Sequence, residues 1–473
     1  MIRQRRRILF AVAGWLVTRI PLYLMMTGHL GYHLNRYGRK SRGDVSLYAT
    51  WVHSDLNHLV LPTGTNWQYP PLVGPLLMAP QAIVGTNYVS EFIHLAFLAD
   101  AAILVLLIWT ATRRGSWLGS WYWVVSVPLL GPIIYGRFDV FSALPVVAAL
   151  ALLGLGVPRA DGKPGRGLNR RRWIAGALFG LGAALKIWPG LAVFGMPRTK
   201  RGLQTAVAAV AAGGAATLVA MGLFRNGTGF LHSQGGRGIE VESVWAVPFL
   251  MLKHLGLTSV RVHYQFGSYE IVGRGVGVAT TAALFTTAAA FALLAYWWWI
   301  KEWRPTVVAD ATFVGTLLMI VTSRVISPQY MIWLLAVAAV SLMFKDTSQR
   351  RSAVILLISL PLSQADFPHY FSALIHDHAK AAILVAARDA LLVLAAVVGF
   401  TDLWRSTVTG SALPWRRQWR GPQPEAQPEA ALPDVAQDAT GGGAAADERG
   451  DGGDDRPGDD ESHGDPVPAS KAV

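Results

Sequence analysis

The chain has 473 residues, 52% of them apolar, with a mean hydropathy of +0.35 and a formal net charge of +13. That apolar content makes bilayer-spanning runs the first thing to look for, and the absence of cysteine excludes disulfides, thiolate catalysis and Cys-ligated metals. Residues 421–473 hold 13 acidic and 3 basic residues, net −10, which leaves +23 on residues 1–420. The basic excess lies in short loops between apolar runs, the positive-inside pattern of a polytopic membrane protein, so no nucleic-acid partner is expected.

Arg3, Arg5, Arg6 and Arg7 precede the first apolar run and no small-x-small cleavage site follows, so a retained first helix with a cytoplasmic N-terminus is expected. Residues 29–70 form an outer loop. Residues 71–84 are apolar, but Pro70, Pro71, Pro75 and Pro80 disfavour a regular span, and the segment reads as interfacial or re-entrant. Spans follow at about 91–111, 118–135, 139–157, 173–186, 187–197, 203–224, 271–299, 307–323, 327–344, 352–366 and 379–403. With the first they make about twelve transmembrane helices, an all-α polytopic membrane protein. The stretch 173–197 is split into two short helices at Lys186-Ile187-Trp188-Pro189; one long helix would reverse everything after it. Arg113–Arg114, the 158–172 loop, Arg198–Arg201, Lys301–Arg304 and Lys345–Arg351 then fall inside. Residues 225–270 form a second outer loop, whose apolar stretch 244–257 is expected along the membrane. The membrane domain spans 1–405. The tail 406–473, acidic from about 421, cannot bury a core and is expected to be disordered in the cytoplasm.

On this topology Asp44, Arg137, Asp139, Lys186, Arg237, Glu240, Glu242, Arg324 and His369 map to the outer ends of spans or to outer loops. Asp44, followed by Tyr48 and Trp51, can serve as a general base if partly shielded from water, or is a solvated loop residue or helix N-cap. Arg137 and Asp139 join two spans with almost no loop. Charges cost about 2.5–3.5 kcal/mol each at mid-membrane, so these two are functional, mutually paired, or in the case of Asp139 an N-cap. Lys186, at a helix break, can neutralise a phosphate or snorkel to the interface. Arg237 with Glu240 and Glu242 suits phosphate and sugar hydroxyls, or forms an exposed salt bridge. Arg324 and Ser327-Pro328-Gln329-Tyr330 make another short outer turn; Asp366, His369 and Tyr370 make a third, with His369 a second candidate base. Gly273-x-Gly275-x-Gly277 lacks a dinucleotide-site context, and like Gly176-x-x-x-Gly180 it is read as close helix packing. Nothing besides the sequon Asn226-Gly227-Thr228 suggests glycosylation, and no His, Asp or Glu spacing suggests a metal. No cofactor is firmly expected, and the sequence leaves a divalent-metal requirement open. Charges gathered at one face, with no internal repeat, favour an enzyme over a transporter or lipid flippase.

The ordered set Gly43-Asp44-Val45-x-Leu47-Tyr48, Tyr69-Pro70-Pro71, Gly136-x-x-Asp139, Lys186-x-x-Pro189, Arg237-Gly238-x-x-x-Glu242-Ser243 and Ser327-Pro328-Gln329-Tyr330 resembles the polyprenol-phosphate-sugar-dependent glycosyltransferases of the GT-C superfamily, in particular glycosyltransferase family 87, which includes actinobacterial α-mannosyltransferases. Arg137 departs from the small polar residue or glutamine often found after that glycine. The resemblance implies an inverting transfer on the outer face of the cell membrane. The donor would be a polyprenyl-phosphate sugar, mannose first and arabinofuranose as the alternative; the acceptor would be a lipid glycan or cell-envelope glycan. By analogy Asp44 is the general base, with Glu242 and His369 as alternatives. Arg137, Asp139, Lys186, Arg237, Glu240, Gln329 and Tyr330 would hold donor phosphate and sugar, and Tyr48, Tyr69, Trp188 and Arg324 would line the cavity.

Overall fold

The structure, a computed structural model, describes residues 2–64, 67–83, 87–114, 116–155, 168–233, 236–304 and 306–410. The chain divides into two units, Met1–Gln418 and Trp419–Val473. The second unit, most of the arginine-rich 158–172 loop and the expected disordered tail from residue 411 lie outside the described residues.

Helix α1 (Ile2–Thr27) leads into two short helices, α2 (Tyr32–Ser41) and α3 (Gly43–Ser54), and a 3-10 turn at Leu56–His58. Residues 29–70, expected as an outer loop, are therefore mostly helical, which their polar composition did not announce. The proline-bearing stretch makes α4 (Val73–Ile83), whose 11 residues reach only about 17 Å, too short to cross a bilayer. Then come α5 (Tyr88–Arg114), α6 (Leu118–Leu130) with a 3-10 turn at Pro132–Tyr135, α7 (Asp139–Leu155), α8 (Leu168–Leu185), a 3-10 segment at Trp188–Gly195 and α9 (Lys200–Leu223). The second loop holds α10 (Gly229–Ser233), β1 (Ile239–Glu240), α11 (Val247–His254), β2 (Arg261–Gln265) and β3 (Ser268–Val272). Its strands form an antiparallel sheet in the order β1-β3-β2. Helices α12 (Val276–Ile300), α13 (Val307–Thr322), α14 (Tyr330–Ser341), α15 (Arg350–Gln364), α16 (Phe371–Ile375) and α17 (Ala379–Thr407) complete the described chain; a π-type segment, Ala365–Tyr370, joins α15 to α16.

Among the described residues five helices are long and apolar enough to cross a membrane: α1, α5, α9, α12 and α17. The others expected to span are shorter. Helix α14 has only 12 residues, and its neighbours bury everything from Met331 to Ser341, so protein rather than lipid surrounds it. The segment 187–197 is not the α-helix expected. It is a 3-10 helix, consistent with Pro189 supplying no N–H at its start. The glycines at 176 and 180 do serve close packing: a Cβ on Gly180 would lie 2.1 Å from the Ala209 carbonyl of α9. Those at 273 and 275 do not pack helices, although a Cβ on Gly273 would crowd Val260 at 2.9 Å. They adopt positive φ (154° and 85°) in the turn from β3 to α12, and a Cβ on Gly277 would meet nothing within 4 Å.

Charges are not confined to one end of the helices either. Asp100, midway along α5, accepts hydrogen bonds from Trp15 Nε1 (3.2 Å), Trp123 Nε1 (2.7 Å), Arg19 Nε (3.0 Å) and the Tyr135 hydroxyl (2.7 Å). Arg19 also donates to the carbonyls of Val124 (2.8 Å) and Trp123 (2.7 Å). Val124 needs that donor because Pro128, four residues on, has no N–H to offer it. A carboxylate and a guanidinium, both wholly buried, thus clamp α1, α5, α6 and the turn carrying Tyr135.

Candidate active site

Tyr135 stands two residues before Arg137, so the buried clamp sets the turn that opens the site. At Gly136 a Cβ would lie 2.2 Å from the Ser41 carbonyl, and only glycine permits this approach of the turn to the end of α2. Arg137 then donates Nη1 to the carbonyls of Ser41 (3.2 Å) and Gly136 (2.8 Å). Its Nε lies 3.0 Å from Asp44 Oδ2, an ion pair by distance whose N–H does not point along the contact. Asp44 sits in the first turn of α3, where the helix dipole favours a carboxylate. It therefore pairs with Arg137, and the direct Arg137–Asp139 contact weighed from the sequence is not made.

Asp139 faces the other way. Its Oδ1 accepts Lys186 Nζ at 2.9 Å and Trp333 Nε1 at 2.7 Å. The Lys186 ammonium lies 4.7 Å from the ring centre of Phe138, 5.0 Å from Trp333, 5.5 Å from Tyr330 and 5.8 Å from Tyr69. Ring faces attract a desolvated cation, so the lysine is caged instead of snorkelling to the interface. The helix break positions it: α8 stops at Leu185, and Lys186 N closes the last turn on Gly182 O at 2.9 Å.

The third element is the sheet. Glu240 on β1 bonds through its N–H to the Arg324 carbonyl (2.9 Å), and its Oε1 accepts from the Ser327 hydroxyl (3.4 Å), tying the loop to the 324–330 turn. Burial raises the Glu240 carboxyl to about 7; Arg237 opposes the shift and Glu270 adds to it. Glu242 is pushed well above the usual carboxylate range by burial, then by the charge of the neighbouring Asp366. Beneath them Arg388 of α17 binds Asp366 (2.9 Å), Asp389 (2.8 Å) and the Glu242 carbonyl.

These elements enclose a polar cavity of about 670 Å³. Asp44, Arg137, Lys186, Tyr69 and Tyr330 line it from the helical side. Arg237, Glu240, Glu242 and Gln329 line it from the loop side, and Asp139 stands directly behind Lys186. Four residues expected at the site lie elsewhere. Tyr48 is buried against Trp51, Phe92 and Phe138. Trp188 is buried behind Trp333, which it stacks on at 5.7 Å. Arg324 contributes its backbone carbonyl, and its side chain is not in the wall. His369 is exposed, edge-on to Tyr370, while Phe367 takes the wall position. Asp55, Gln68, Ser268, Tyr269 and, at the start of α16, Phe371 also line the cavity, and no sequence motif marked them. Among the described residues no three His, Asp or Glu side chains group to hold a metal ion.

A second space, about 760 Å³ and almost wholly apolar, opens between α8, the Trp188–Gly195 segment and α9. Ala183, Ala184 and Pro189 line it, within three residues of Lys186, so one helix break borders both the polar cavity and the apolar groove.

The fold is that of a multi-pass membrane protein with a polar cavity beside an apolar groove. Residues 67–323, more than half of the chain, match glycosyltransferase family 87. No curated protein matches the chain. Among solved structures, ArnT from Cupriavidus metallidurans bound to undecaprenyl phosphate aligns at 13% identity and a TM-score of 0.41, over 84% of this chain and 76% of that one. Its apo state aligns at 12% and 0.39, over 79% and 72%. The chain belongs to glycosyltransferase family 87, and with it to the GT-C superfamily whose motifs its sequence resembles: it is a membrane glycosyltransferase.

Proposed function

We propose that this glycosyltransferase moves a sugar, mannose in the first instance, from a polyprenyl-phosphate donor to a lipid-glycan or cell-envelope acceptor, with inversion. One observation carries the reading: Lys186 lies at the boundary between a polar cavity and an apolar groove, where a lipid phosphate sits with its sugar on one side and its isoprenoid tail on the other. The acceptor hydroxyl oxygen attacks the anomeric carbon, the bond from that carbon to the phosphate oxygen breaks, and the hydroxyl proton passes to Asp44. Polyprenyl phosphate leaves with the bond's electron pair, and Lys186, Arg137 and Arg237 meet the charge that develops on it. Glu240, Gln329 and Tyr330 face the sugar. Glu242 is the poorer alternative base, because burial and the neighbouring Asp366 favour its neutral form, which is only weakly basic; His369 stands outside the cavity.

In this reading the cavity faces the outside, both termini are cytoplasmic, and about twelve segments cross. The basic ends support that orientation. Arg113–Arg114 close α5, Lys200–Arg201 open α9 and Arg350–Arg351 open α15, each at the end away from the cavity-bearing turns. The test is to incubate the purified full chain with polyprenyl-phosphate mannose and a lipid extract, and to follow transfer by mass spectrometry. Transfer that Asp44→Asn abolishes supports donor and base together. Transfer only from the arabinofuranose donor would replace the sugar, and none from either would overturn the reading.

A further inference from the structure

Helix α2 carries charge where the positive-inside pattern predicts little. Residues 1–43 contain no acidic side chain, and α2, on the cavity side of α1, holds Arg36, Arg39 and Lys40 exposed. None of the three forms an ion pair with a carboxylate among the described residues. At 100° per residue they fall on one face with Tyr32, which is 68% exposed.

The opposite face is committed to the protein. A Cβ on Gly38 would lie 2.2 Å from the Met25 carbonyl, so α2 abuts the last turn of α1. Tyr37 donates its hydroxyl to the Gln364 carbonyl at 3.2 Å, and Ser41 is buried. Asn35 binds back to the N–H of Leu30 (3.0 Å) and the carbonyl of Gly28 (2.9 Å), fixing the turn from α1. Only residues 28–31 separate the two helices, so α2 starts within about 18 Å of the end of the span. Its cationic face is therefore held at headgroup level, where an exposed tyrosine is also at home.

We propose that α2 docks on anionic phospholipid headgroups of the leaflet on the cavity side, with Arg36, Arg39 and Lys40 taking lipid phosphates. The lipid surface is the anion source continuous at that depth, and the uniform charge of the face is its complement. The consequence reaches the site, because α2 runs into α3 through a single residue. Ser41 O holds Arg137 Nη1 at 3.2 Å, and Asp44 lies in the first turn of α3. The proposal rests on α1 as a span and not on the sugar-transfer reading.

Because the chain has no cysteine, Tyr32→Cys gives a unique site for an environment-sensitive fluorophore on the full-length protein in mild detergent. Added phosphatidylglycerol should shift its emission, phosphatidylcholine should not, and about 0.5 M salt should weaken the response. At about fivefold per cation, the variant Arg36→Gln, Arg39→Gln, Lys40→Gln should need about a hundredfold more phosphatidylglycerol. Arg36→Lys with Arg39→Lys should respond as the parent does, which separates charge from folding. Equal responses to the two lipids, or an unaltered response in the triple variant, would overturn the proposal even if the protein proves active as a transferase; a lipid response without any transfer would leave it standing.

Discussion

Arg19 and Arg388 are both wholly buried, yet they keep different company. Arg19 meets one carboxylate, Asp100, and each Asp100 oxygen receives two donors. Arg388 meets three, Asp366, Asp389 and Glu242, each of which keeps one oxygen without a donor. The first network is closed, as a structural clamp in an apolar layer must be. The second holds more carboxyl groups than cations and lies under the wall of a cavity. Burial and Asp366 favour a proton on Glu242, which would cut the excess from two charges to one. Unpaired oxygens recur on Asp139 and Glu240 around the same cavity. Among the buried carboxyl groups described, those with an oxygen lacking a donor gather around or beneath this cavity, whereas Asp100 and Asp310 are fully satisfied.

This contrast can be broken or sharpened by substitution. The largest effect is expected at Asp44: Asn there should insert and fold normally but lower transfer by about 10²–10⁴, measured as turnover alongside an unchanged melting curve. Asp100→Leu should do the reverse. It leaves Arg19 buried without its partner, a loss of about 3–5 kcal/mol, read as a collapse in folded yield that Arg19→Met in the same chain partly restores. Lys186→Met keeps the apolar stem and removes the charge, and a fall of about 10² in kcat is expected if the ammonium meets the leaving phosphate.

Smaller effects test the carboxyl groups. Because the folded protein raises Glu240 to about 7 from an ordinary 4.5, the folded state holds that proton more tightly than the unfolded chain. The resulting stabilisation is fully present below about pH 4.5 and lost as pH rises through about 7. Glu240→Gln should flatten that part of the melting-temperature profile. The mildest change is expected for Glu242→Gln, an isostere of the protonated acid; a rate within a few-fold of the parent would separate it from Asp44, whereas a loss as deep as that of Asp44→Asn would restore Glu242 as the base.

Much of the site was legible residue by residue. Asp44, Arg137, Lys186, Arg237, Glu240 and Tyr330 were singled out by charge or motif beside apolar runs, and all line one cavity. Arg19 and Asp100 carried the same signal, a charge within an apolar helix, and were not read from it; Arg388 and Asp389 in α17 were missed likewise. Trp188 and Tyr48 failed for another reason. Each sits next to a wall residue in sequence or space, but a helical or 3-10 turn points the ring inward, where it props Trp333 or Trp51. The three-stranded sheet had no period strong enough to announce strands of two to five residues.

What the sequence determined by itself is whatever depends on local composition: the five long apolar helices, the basic residues at helix ends, and the helix break at Lys186. Hydropathy, charge and proline act on the chain where they stand. Only the tertiary structure decided which charge answers which. Lys186 and Asp139 are 47 residues apart, and Asp139 and Trp333 are 194 apart. At such separations several pairings satisfy the same local rules, and the packing of the helices selects one by bringing only those groups within hydrogen-bond reach in a medium that penalises any charge left alone.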